Sequence, residues 1–128
     1  MFIPKNMRGA LQPWEYLPAA AGTYKAGQLL NANGGMLVPV SAAAKTTPSY
    51  LCMADVTVAE GDAIPVAAVA KNEIYVTELS AETAGAAMGS KLQVSAGGLQ
   101  VDGAATGTFE LTYVEDTAAG SIVHGRFQ

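Results

Sequence analysis

Apolar and polar residues alternate in short runs along this chain, and turn residues close each run. Phe109, Leu111 and Tyr113 alternate with Thr108, Glu110 and Thr112, the period of two that a half-buried strand requires. Leu92-Gln93-Val94 and Leu99-Gln100-Val101 flank Ser95-Ala96-Gly97-Gly98. Setting Val94 opposite Leu99 places Leu92 opposite Val101 and turns all four to one face, with Gln93 and Gln100 on the other. Gln28-Leu29-Leu30 and Met36-Leu37-Val38 flank Asn33-Gly34-Gly35, a hairpin signal because its residues tolerate positive φ. Further strands are expected near Tyr50–Val58 and over Ile64–Val69, Ile74–Leu79 and Ile122–Phe127. Glu60-Gly61-Asp62 reads as a turn. A hairpin around Lys71-Asn72 pairs Val69 with Ile74 and Ile64 with Leu79, a self-consistent register. The Ala-rich stretch Ser80–Ser90 has room for one helical turn between its glycines. Roughly eight short strands punctuated by turns predict an all-β body over residues 23–128, a small β-barrel or a sandwich.

Residues 1–22 follow another pattern. Pro4, Pro13 and Pro18 exclude a continuous helix or a central strand there. Yet Phe2, Ile3, Met7, Leu11, Trp14, Tyr16 and Leu17 make the segment too apolar for a solvated tail. It is expected to be an extended N-terminal arm, lying on its own body or on a partner, with a hinge at Ala19-Ala20-Ala21-Gly22. Trp14 is the only tryptophan, and Trp and Tyr are enriched where proteins meet. Phe2, Ile3, Lys5, Arg8, Trp14 and Tyr16 are therefore the candidate contact residues. The plainer reading has Trp14 and Tyr16 capping the arm's own barrel.

Length and charge narrow the function. A chain of 128 residues suits one domain with a modest core. Seven basic residues against eleven acidic ones, net −4, do not make the basic surface that a phosphate backbone needs, so nucleic acid is not an expected partner. Residues 1–25 carry three basic side chains and one acidic, so a mildly basic segment precedes an acidic body. No apolar run approaches the ~20 residues of a membrane helix, and nothing near the N-terminus reads as a secretory leader. A soluble protein made in a cytoplasm is expected. Cys52, the only cysteine, has no disulfide partner and lies in the apolar run Tyr50–Ala54, where a buried small hydrophobe is expected.

Catalytic candidates are sparse. His124 is the only histidine, and no His or Cys partner stands at metal-ligand spacing from it or from Cys52. Gly85-Ala86-Ala87-Met88-Gly89-Ser90-Lys91 departs from a phosphate loop, with three residues between its glycines and Ser before Lys. Asp55, Glu60 and Asp62 lack the spacing of a calcium loop and read as solvated carboxylates around a turn. No cofactor, no metal and no catalysis are expected.

The run Thr23-Tyr24-Lys25-Ala26-Gly27-Gln28-Leu29-Leu30 resembles the opening strand of small tailed-phage capsid decoration (cement) proteins. Gly61–Val66 and Glu73–Thr77 are similar to their central strands. Gly89–Val94 followed by Gly97-Gly98-Leu99, and the closing Ile122–Phe127, fit the same scheme. The resemblance spans residues 23–127 as a pattern of glycine spacing and strand order, and the N-terminal arm is outside it. It implies a compact β-barrel or β-tulip in the virion, bound to the major capsid protein on the outside of an assembled head. Docking of the arm on a neighbouring copy would instead give a symmetric homo-oligomer, such as a trimer at a threefold position. The alternative function is a receptor- or glycan-binding β module of a phage fibre or tail.

Overall fold

The computed structural model describes residues 1–5, 14–41, 46–71, 73–103 and 107–128. Among these there is no helix, and the short alternating runs become strands: β1 Ile3–Pro4, β2 Glu15–Pro18, β3 Gly22–Tyr24, β4 Leu29–Asn33, β5 Met36–Pro39 and β6 Tyr50–Cys52. Then follow β7 Val56–Val58, β8 Ala63–Ala68, β9 Tyr75–Glu78, β10 Lys91–Val94, β11 Val101–Asp102, β12 Phe109–Val114 and β13 Ile122–Phe127. A six-stranded antiparallel sheet has the order β1-β9-β13-β12-β10-β11, a five-stranded one β2-β8-β6-β4-β5, and β3 pairs with β7 as a separate ribbon. The fold is all-β, as the pattern predicts.

Both sheets curl until an element near one edge touches the other edge. Ala19, just after β2, forms a parallel bridge with Leu37 of β5, and Leu79, just after β9, forms one with Val101 of β11. The two halves share one plan that the alternation pattern does not reveal: β2-β8-β6-β4-β5 and β9-β13-β12-β10-β11 both follow the order first, fifth, fourth, second and third strand of their five. Their hydrogen bonds match one by one. Gly27 and Gly89 N–H donate to Cys52 and Leu111 O, whose own N–H groups donate back to Gln28 and Ser90 O, all at 2.8 Å. Ala19 N–H donates to Asp62 O and Leu79 N–H to Ser121 O, both at 3.0 Å. Even a side-chain closure recurs, Lys25 N–H to Gln28 Oε1 at 3.0 Å and Ala87 N–H to Ser90 Oγ at 3.1 Å.

The core has two parts. Inside the five-stranded curl, Leu30, Leu37, Cys52, Ile64 and Val66 pack with Ala19 and Tyr24, against Val56 and Val58 of the ribbon. The Tyr24 hydroxyl donates to Ala20 O at 2.7 Å and lies 3.2 Å from Leu37 O, so its buried end is satisfied. Leu29 and Leu51, on the opposite face of the same sheet, join Leu92, Val94, Phe109, Leu111, Val123 and Phe127 in the second part. The outer face of the first half thus plugs the inner face of the second. That is why β4 and β6 are apolar at consecutive positions, Leu29-Leu30 and Leu51-Cys52: both their faces are covered.

Several expectations need correction. The expected hinge is a junction: Ala19 is fully buried, and Ala20 N–H donates to Leu37 O at 2.9 Å. Nor does residue 22 mark a break in the sheets, since β1 pairs with β9 and β2 with β8. Each is an edge strand that ends in proline, which is where a residue without N–H is tolerated. The strand expected over Tyr50–Val58 is two, β6 and β7, in different sheets. β8 and β9 are not a hairpin: β8 lies between β2 and β6, and β9 between β1 and β13. Matching alternation is equally satisfied by strands in two sheets that face one core. The β10–β11 hairpin forms, but Val94 pairs with Val101, not Leu99. The shift of two residues keeps Leu92, Val94 and Val101 buried and moves Leu99 into the loop, where it is half-buried. Finally, β12 has a bulge between Leu111 and Tyr113. The extra residue inverts the alternation, so Tyr113 faces solvent and Val114 packs on the core.

Candidate binding surfaces

The residues singled out in the N-terminal segment go to three places. Phe2 is 1% exposed, edge-on to Phe109 at 5.7 Å and 6.0 Å from Phe127, so it belongs to the core and is not a contact residue. Ile3 and Lys5 reach the outer face of the six-stranded sheet. Trp14 and Tyr16 lie at the edge of the five-stranded sheet, 52% and 67% exposed. Arg8 lies outside the described residues, as do Met7 and Leu11.

Trp14 and Tyr16 are two residues apart on an extended chain and therefore share a face. Tyr16 pairs with Pro65 and Leu17 with Ile64. Since Ile64 is buried inside the curl, Tyr16 and Trp14 belong to the outer face, the one that Leu29 and Leu51 bury further along the same sheet. At β2 the second half no longer covers that face, and the two rings stand uncovered.

On the six-stranded sheet the register sets Ile3 beside Val76, Val76 beside His124 and His124 beside Tyr113. These four form a row across β1, β9, β13 and β12. Ile3 is 51% and Tyr113 49% exposed. The Tyr113 and His124 rings lie 4.8 Å apart, and Lys5 Nζ donates to His124 Nδ1 at 3.2 Å. Partial burial, and then the Lys5 ammonium, hold the imidazole below its usual pKa. It is neutral at pH 7 and accepts through Nδ1. Plain alternation turns Tyr113 inward, so this row is not visible in the sequence; Thr112, the extra residue of the bulge, is its only trace.

Several carboxylates elsewhere serve the backbone. Asp55 Oδ1 accepts from Ala26 N–H at 2.8 Å, Asp62 Oδ2 from Ala59 N–H at 3.1 Å and Glu115 Oε2 from Ile122 N–H at 3.0 Å. The loop that faintly resembles a phosphate cradle spends its amides internally: Ala86 N–H on Thr83 O, Ala87 N–H on Ser90 Oγ, Gly89 N–H on Leu111 O and Ser90 N–H on Ala87 O. A hollow of about 400 Å³ beside it is lined mainly by small residues, with Lys91 among them. Burial raises the Cys52 pKa, and its thiol donates to Ala54 O at 3.2 Å, as expected of a small core residue. Among the described residues no three His, Cys, Asp or Glu side chains converge as a metal site would require.

Fold and surface together define an all-β protein with two exposed apolar surfaces, an aromatic edge and a mixed sheet face. No protein-family model matches the chain, and no curated protein matches it.

Proposed function

We propose that this chain is a non-catalytic structural protein of a phage virion, made in the host cytoplasm. It binds the outside of an assembled capsid and stabilises the shell by bridging neighbouring capsid subunits. The observation that carries this reading is the uncovered aromatic edge, Tyr16 on a strand whose backbone is already ordered by β8 and Trp14 just before that strand. Rigid aromatic anchors lose little entropy on docking and typically dominate an interface. The resemblance of residues 23–127 to decoration proteins supports the choice of partner. A protein that binds only the assembled shell shifts assembly toward it, and many identical weak sites reinforce one another.

Deleting the whole N-terminal segment is a poor test, because Phe2 is core. The test is Trp14→Ala with Tyr16→Ala, mixed with assembled shells and imaged by electron microscopy. Occupancy is expected to fall by at least about 30-fold in apparent affinity, with the melting temperature nearly unchanged. Full occupancy by the folded double variant overturns the reading. Strong, Trp14-dependent binding on a glycan array without shell binding would favour a receptor-binding module instead.

A further inference from the structure

We propose that the outer face of the six-stranded sheet is covered by a second copy of this chain, related by a two-fold axis along the row Ile3–Val76–His124–Tyr113. The inference is independent of the aromatic edge and of any capsid.

This face is laid out in three rows. The central row is the apolar and aromatic one already described, uncharged at pH 7. Two positions along the strands in one direction stand Lys5, Arg126 and Lys91. Arg126 and Lys91 both pair with Glu110, the one anion of that rim among the described residues, and Arg126 Nε approaches its carboxylate to 3.9 Å. Two positions in the other direction stand Glu78 and Glu115, on either side of Ile122, itself 43% exposed. The amino group of Met1, near Glu78, is turned onto Leu99 O. The face is therefore bipolar, cationic on one rim, anionic on the other, with an apolar seam between.

That layout selects one partner and one orientation. Turning a second copy about an axis along the seam lays its anionic rim on the first copy's cationic rim, and the reverse; along β12 each Glu115 meets the other copy's Glu110, which Arg126 and Lys91 flank on either side. Each Glu78 then comes down between Lys5 and Arg126 of the other copy, opposite Ile74. The seam meets itself, Ile3 on Ile3 and Tyr113 on Tyr113, as an isologous contact requires. An axis parallel to the strands would instead set like rim on like rim, which is repulsive. Twisted sheets pack face to face with strands within about 30° of each other, so the rims stay in reach. Four strands and three rows span on the order of 20 Å by 15 Å, so the contact is weak and appears only at high protein concentration.

The test is sedimentation velocity of the full chain from roughly 10 μM to 1 mM, concentrations that bracket a weak dimer. The unmodified chain is expected to shift from monomer to dimer, less so at high salt. Glu78→Lys and Arg126→Glu, both exposed, should each weaken the dimer about tenfold or more. Mixed in equal amounts they should restore it, because the lysine introduced into one chain then faces the glutamate introduced into the other, while the second rim contact keeps the native charges. Glu60→Lys, on the turn before β8, changes net charge equally and should leave the dimer intact. Lys5→Glu replaces Arg126→Glu if the latter fails to fold by circular dichroism. A chain that stays monomeric at 1 mM, a trimer, or single variants that mixing does not rescue would each overturn the proposal.

Discussion

At the residue scale, environment decides what a side chain does, and sequence shows environment only in part. Cys52 was legible because every neighbour in its run is apolar. Phe2 was not, because nothing local separates a phenylalanine that seeks its own core from one that seeks a partner. The spacing around His124 shows that it lacks ligand partners, but its contacts with Lys5 and Tyr113 come from strands far away in sequence. Those contacts make a pH prediction. Burial, then Lys5, lower the folded-state pKa of His124 below the unfolded value near 6.5. The unfolded chain therefore takes up the proton first, and the stability from the neutral ring is complete above about pH 6.5 and is lost as pH falls through the lower folded value. The melting-temperature difference between the parent and His124→Gln should be constant above that pH and shift below it in favour of the variant. A difference that does not change with pH would show that the ring titrates alike in both states.

At the element scale, alternation located the strands but not their partners. The β4–β5 hairpin was readable because Gly34 and Gly35, at φ 63° and 82°, supply the two left-handed residues that a two-residue loop demands. The β10–β11 loop misled because its glycines do another task. Gly97 O and Gly98 O accept from Gln28 Nε2 and Leu29 N–H, both at 2.8 Å, and a Cβ on Gly98 would collide with the Leu29 backbone. The loop is shaped to lie on β4, and its length follows from that docking, not from a minimal turn. Val94→Asp, at a fully buried site, is therefore expected to cost ~3 kcal/mol or more, whereas Leu99→Ser, in the half-buried loop, should cost about 1 kcal/mol. Urea melts giving equal losses would restore Leu99 to the core face.

At the scale of the whole molecule, fold class was legible from turn spacing, while the duplicated plan was not. Its sequence trace is thin: Gly27-Gln28-Leu29-Leu30 with Gly34-Gly35, against Gly89-Ser90-Lys91-Leu92 with Gly97-Gly98. The duplicated bonds are mostly backbone ones, which constrain residue identity little, and the two outer faces have diverged, Leu29 and Leu51 in one half against Lys91 and Glu110 in the other. The N-terminal segment closes this arrangement from outside both halves. Phe2→Ala should cost about 3–5 kcal/mol, lowering the melting temperature by roughly 10 °C or more, while Ile3→Ala, at the next residue and in β1, should cost under about 1 kcal/mol. Comparable losses from both would mean that β1, and not the buried Phe2 ring beside it, is what matters. The contact of Phe2 with Phe127 also bears on how the protein is made. A nascent chain holds Phe2, β1 and the whole first half ready long before β13 exists, so the cluster they complete must wait with one wall open. Its folding nucleus cannot be this cluster during synthesis; the first half, whose Tyr24, Leu30 and Ile64 need nothing beyond β8, is the part expected to gain protection on the ribosome, with the aromatic ends locking only after Phe127 has left the exit tunnel.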